Sequence, residues 1–88
     1  MEQDPADHAS RLALARALRA DQKMNSSLDQ YEVLIESSRL LQDVSEDLNG
    51  MVKEKPAPRS QRLLGDAFMR QGKLQEALEA YRDALDQL

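Results

Sequence analysis

Eighty-eight residues of about 10 kDa allow one small domain, and 12 basic against 16 acidic side chains give a net charge of −4 and a pI near 4.9. Half of the chain, 44 residues, is Ala, Leu, Glu, Lys or Arg; Thr, Trp and Cys are absent, and the only β-branched residues are Val33, Ile35, Val44 and Val52. That supply excludes a β-sandwich or barrel, a disulfide or zinc-finger framework and a thiol nucleophile, and it points to an all-α chain.

Five helical segments succeed one another along the chain. Asp4 and Pro5 read as N-cap and first helical residue, because proline lacks only an N–H that is unpaired there. From Ala6 onward Leu14, Ala17 and Leu18 fall on one stripe, and Asp21 to Ser27 is a turn rich in cap candidates. Leu28, Tyr31, Leu34 and Ile35 keep helical spacing in a second segment, which makes 6–36 a first helix pair. Ser37-Ser38 marks a break whose short hydroxyls can cap the next helix.

A third helix, over 39–55, carries Leu41, Val44, Leu48, Met51 and Val52 on its stripe. Asn49-Gly50 lies inside it, but no strand-like alternation flanks the pair, so Gly50 is read as a helix position tolerated at about 1 kcal/mol relative to alanine. Pro56-Ala57-Pro58 ends that helix. A second pair then spans 58–88. Its first helix stops at Gly72, and its second carries Leu74, Ala77, Leu78, Tyr81, Ala84 and Leu85 on the stripe expected to be buried.

Sites for chemistry are sparse. His8 is the only histidine, and its spacing from Asp4 describes an exposed pair at a helix start. Asp43, Glu46 and Asp47 are what an ordinary solvated helix face contains, and Gly50, Gly65 and Gly72 form no phosphate-binding loop. Catalysis is not expected, nor is any metal or cofactor. No apolar run is long enough to span a bilayer, and Met1 to Pro5 lacks a secretory n-region. An acidic chain is also a poor electrostatic match for nucleic acid. The expectation is a soluble, cytoplasmic protein with neither membrane nor nucleic acid as partner.

The chain repeats itself at an offset of 50 residues. Leu12 to Leu18 lies over Arg62 to Phe68, Lys23-Met24 over Lys73-Leu74, Leu28 over Leu78, and Tyr31 over Tyr81. Leu64-Gly65-x-x-Phe68, Gly72, Ala77-x-x-x-Tyr81 and Ala84 resemble the tetratricopeptide repeat, a helix-turn-helix unit of 34 residues. Small residues at Gly65, Ala77 and Ala84 would let two antiparallel helices approach, with Phe68 and Tyr81 between them. Gln61 stands where that family often has Trp. The copy from His8 to Leu41 is fainter, with Leu14-Ala15-x-x-Leu18, Ser27-x-x-x-Tyr31 and Arg39 at the usual proline site. Between the copies, Val44-x-x-x-Leu48, Met51 and Pro56 fit only the second half of a repeat. The third helix therefore either substitutes for a missing half or extends away to pair with another chain. The resemblance implies a short superhelix of stacked helix hairpins; an unrelated helical bundle is the alternative.

Basic charge concentrates on the first helix of each pair and acidic charge on the second. In proteins that this chain resembles, the first helices line a groove holding a peptide or partner helix. Carried over by motif position, the groove side comprises Leu12, Arg16 and Arg19 with Arg59, Arg62, Leu63, Asp66 and Met69. Arginine forks grip carboxylates, so an acidic protein or peptide partner is expected; against this, arginines at helical spacing also make ordinary solvated faces. The family's co-chaperone members clamp carboxylates with Asn and Lys, but Asn25 and Asn49 are not on first helices here. The alternative function is self-association. A repeat unit cannot bury its own apolar face, and a homo-oligomer, such as a dimer exchanging helices across Ser37-Ser38 or Pro56–Pro58, would cover it.

Overall fold

The computed structural model describes residues 7–88. Among them five α-helices succeed one another: α1 (His8–Ala20), α2 (Met24–Glu36), α3 (Leu41–Glu54), α4 (Pro58–Arg70) and α5 (Leu74–Asp86). The roles expected of Asp4 and Pro5 lie outside the described residues. Asp7 caps α1, its carboxylate accepting from the Ser10 N–H at 3.1 Å; hydrogen bonding from the Ser10 side chain, and then from this N–H, holds the Asp7 pKa below its ordinary value.

The 50-residue repeat reappears as backbone geometry. At the end of α1, the Lys23 N–H donates to the Leu18 carbonyl and the Gln22 N–H to that of Arg19, both at 2.9 Å. At the end of α4, Lys73 donates to Phe68 at 2.9 Å and Gly72 to Met69 at 3.0 Å. This paired closure needs a left-handed residue, which is Gln22 at φ 63° in one copy and Gly72 at φ 77° in the other. A third closure ends α2, with Ser38 at φ 55°. Ser37-Ser38 thus terminates the helix before it, contrary to the expectation that it caps the one after. The N-cap of α3 is Leu40, itself left-handed at φ 52° and without a side-chain cap bond.

Because a Cβ is penalised in the left-handed region, Gln22→Gly should raise stability by about 0.5–1 kcal/mol, and Gly72→Gln should lower it by a similar amount. Denaturant midpoints of the two variants would measure both effects. Equal shifts of the same sign would contradict the equivalence of the two turns.

The helices stack as hairpins: α1 packs on α2, α3 on α4 and α4 on α5, while α2 also seats against α3 and α4. Leu28, Tyr31, Leu34 and Ile35 of α2 meet Val44, Leu48 and Met51 of α3 and Leu63, Leu64 and Ala67 of α4 in one core, flanked by Leu12 and Ala15 of α1 and Ala80 of α5. The third helix is therefore inside the stack; the alternative in which it extends away to pair with another chain is corrected.

Two stripes also differ from expectation. In α1 the buried residues are Leu12 and Ala15, and Leu14 is 47 % exposed. In α5 the buried residues are Ala77 and Ala80, while Leu74, Leu78 and Leu85 face outward. In α5 the helix approaches its neighbour through small side chains, and close approach hides the alanine side while the bulkier row beside it stays uncovered; in α1 the buried row pairs the small Ala15 with Leu12.

Candidate partner-binding surface

The arginines singled out from the sequence are distributed over two surfaces. Arg16 and Arg19 of α1 line one depression of about 530 Å³, together with Ala20, Gln22, Met24, Asp47 and Glu54. Both arginines are already engaged across it. Arg16 Nε donates to Asp47 Oδ2 at 2.7 Å and its Nη2 to Oδ1 at 3.2 Å, a two-pronged grip that raises the Arg16 pKa. Arg19 Nη2 lies 3.0 Å from Glu54 Oε1. The Tyr31 hydroxyl, rising from the core, donates to the same Asp47 Oδ2 at 2.8 Å. Asp47 and Glu54, both on α3, thus occupy the basic side chains of the first copy and tie α3 to α1.

Arg59 is engaged as well. At the start of α4 it reaches Asp29 Oδ1 at 2.6 Å, Glu32 Oε1 at 3.1 Å and the Asn25 carbonyl at 3.3 Å, all on α2. The bond to Asp29 is the chief reason that its pKa is raised. Leu12 and Leu63, expected on the groove side, are core residues. Met69 is exposed on α4.

A second and larger groove, of about 780 Å³, opens between α4 and α5. Its α4 wall is Pro58, Arg59, Arg62 and Asp66, and its α5 wall is Tyr81, Ala84, Leu85 and Leu88. Tyr81 donates its hydroxyl to Asp66 Oδ1, and burial together with that bond pushes its pKa up to about 12. Arg62 makes no ion pair among the described residues. The groove therefore has a largely apolar floor and one uncommitted cation on its rim. It brings Arg59, Arg62 and Asp66 together, and it leaves Arg16 and Arg19 on the other depression.

Sequence reasoning misses the acidic partners of these arginines, Asp29, Glu32, Asp47 and Glu54, because periodicity says which face a residue is on but not which helix faces it. It also assigns the leucines of α5 to the core. Their spacing holds a usable signal: Leu74, Leu78, Tyr81, Leu85 and Leu88 alternate steps of four and three, the pattern of a helix seam that meets another helix.

Among the described residues no three His, Cys, Asp or Glu side chains gather to hold a metal ion. Nor, among the described residues, is any helix long and apolar enough to cross a membrane.

Comparison with known families matches residues 46–88 to the tetratricopeptide repeat. No significant match is found among curated proteins or solved structures. The matched segment begins within α3 and runs through α4 and α5, the part of the chain in which Gly65, Phe68, Gly72, Ala77 and Tyr81 carry the repeat pattern. Folds of this kind generally serve protein–protein scaffolding. With residues 46–88 matching the family and five helices stacked as hairpins, the chain has a tetratricopeptide-like repeat arrangement.

Proposed function

We propose that the chain is a non-enzymatic interaction module that seats a helix or peptide of a partner protein in the groove between α4 and α5. The observation that carries this reading is the groove's composition: an apolar floor of Tyr81, Ala84 and Leu85 beside Arg62, which has no partner of its own among the described residues. An amphipathic segment with an acidic edge fits such a rim. Arg16, Arg19 and Arg59 contribute less, since binding through them requires breaking their bonds to Asp47, Glu54, Asp29 and Glu32.

A leucine-striped helical peptide with glutamates along one edge is a suitable probe, its binding followed by fluorescence polarisation. Arg62→Glu should weaken binding by at least about tenfold, a change of about 1.4 kcal/mol. Binding of equal strength to both proteins would remove this reading. Self-association is the second reading, favoured by the outward leucine row of α5.

A further inference from the structure

Helix α4 packs on α3 to one side and on α5 to the other, and a trough of about 220 Å³ lies over it between them. The trough shares no residue with the groove of Arg62 and Leu85. Its floor includes Gln61 and Phe68, its α5 wall carries Glu76, Glu79 and Asp83, and its α3 wall adds the uncharged Asn49. None of the three carboxylates is in an ion pair among the described residues, although Lys73 and Arg82 stand on the same helix. Nor do they gather closely enough to hold a metal ion. They follow one helical stripe for about 10 Å, at a rise of about 1.5 Å per residue.

The floor calls for a hydrogen-bond donor. Gln61 is 7 % exposed, and its Oε1 is buried without a hydrogen-bond partner. An unpaired buried acceptor is costly, and a donor that reaches the floor satisfies it. The first copy of the repeat shows what is missing. Fifty residues earlier, the position of Gln61 is Arg11, whose guanidinium donates to Gln30 on α2 at 2.6 Å. There Ser26, Asp29 and Val33 take the places of Glu76, Glu79 and Asp83. The first copy thus has one carboxylate on this stripe and supplies its own arginine; the second has three and supplies none.

We propose that the trough receives arginine side chains from an extended, basic segment of a partner protein. This goes beyond the groove reading and does not depend on it. A trough of this volume admits side chains but not a whole helix, whose diameter is about 10–12 Å. Arginine suits both the wall and the floor. Its planar fork grips a carboxylate through two hydrogen bonds, and its remaining N–H groups leave a donor for the Gln61 oxygen. Its apolar stem covers Leu64 and Phe68. Lysine offers a compact, strongly hydrated charge that matches the wall but lacks the fork. An acidic or apolar segment would desolvate the carboxylates without pairing them.

The test uses a fluorescein-labelled peptide alternating arginine and glycine, titrated with the full chain at about 0.15 M salt so that the net charge is screened. The wild type should bind it at least about tenfold more tightly than the same peptide carrying citrulline, the neutral counterpart of arginine. Glu79→Gln with Asp83→Asn should weaken binding at least about tenfold, whereas Asp21→Asn with Glu36→Gln, which removes the same charge elsewhere, should change it by less than about twofold. Gln61→Leu separates a floor that binds from one that only packs. By removing the unpaired acceptor it should raise the denaturant midpoint, yet weaken the arginine peptide by about threefold or more. Circular dichroism checks that each variant folds. No binding by the wild type, equal binding of the citrulline peptide, or equal losses in the two charge-neutralised variants overturns the proposal. Unchanged affinity in Gln61→Leu overturns the role given to the floor. The acidic, leucine-striped peptide should not compete with the arginine peptide; competition would place both on one surface and overturn the second site. Failure of one peptide to bind leaves the reading tested by the other standing.

Discussion

Gly65→Ala should destabilise the chain by about 2–3 kcal/mol, lowering the midpoint of thermal unfolding by about 10–20 °C. A Cβ built on Gly65 stands 2.6 Å from Tyr81 Cε1 and 2.7 Å from Cδ1, well inside any real carbon contact. The ring cannot simply swing aside, because its hydroxyl is tied to Asp66, the next residue along α4. Either α4 and α5 separate, opening gaps around Ala77 and Ala80, or the hydrogen bond breaks. The first copy shows that the same hairpin can be built with alanine: Ala15 stands at the Gly65 position and Tyr31 at the Tyr81 position. There, however, the tyrosine hydroxyl is drawn toward Asp47 on α3 instead of back toward the facing helix. Releasing the tether should therefore relieve the clash. In a double-mutant cycle, Gly65→Ala combined with Asp66→Ala should cost less than the sum of the two single changes. Strict additivity would show that the ring's anchor plays no part.

How far the residues alone disclose the fold depends on the range of the interaction involved. The turn at Gly72, the stop at Pro56 to Pro58 and the helical passage through Gly50 are local, decided within a few residues by backbone sterics. The equivalence of Tyr31 and Tyr81 is also legible, because each packs within its own hairpin. Two kinds of feature are not. The pairing of Arg16 with Asp47 joins residues 31 apart on non-consecutive helices, and nothing in either helix's pattern specifies the other. The burial of α5 is misassigned when leucines are taken as the core row, because Ala77 and Ala80 form the contact with α4. Adjacent positions are about 100° apart around a helix, so Leu78 points well away from the contact made by Ala77. Hydrophobic periodicity locates a stripe by side-chain size. The closest helix contact is made where side chains are smallest, and in α5 those are different rows. The candidate site inherits this limit: motif position groups Arg62 and Asp66 on α4, but it does not name the side chains that face them across the depression, Leu85 and Leu88.

Tyr31→Ala should be the most damaging single truncation, at about 3–5 kcal/mol. A chain of this length commands only about 4–13 kcal/mol in total, so the variant should be partly unfolded at ambient temperature. The ring is fully buried at the meeting of α1, α2 and α3, and its hydroxyl shares Asp47 with Arg16. Tyr31→Phe separates the two contributions. It keeps the packing and loses one hydrogen bond, and Asp47 retains Arg16, so the cost should fall to about 1–2 kcal/mol. The same residue predicts alkaline sensitivity. Burial, then the bond donated to Asp47 and the charge beside it, push the Tyr31 pKa well above that of a free tyrosine, and Tyr81 is pushed up to about 12. Both groups are neutral in the fold at pH values where an unfolded tyrosine, with a pKa near 10, begins to ionise. Their contribution is thus fully present below about pH 10 and is lost progressively as pH rises toward and beyond the folded values. Denaturant midpoints measured through that range should fall steeply for the wild type and less steeply for Tyr31→Phe, which has one fewer proton to lose. If the two slopes coincide, the phenol of Tyr31 is not what couples the α1–α2–α3 junction to pH, and the ion pairs of Arg16 and Arg19 must hold the junction without it.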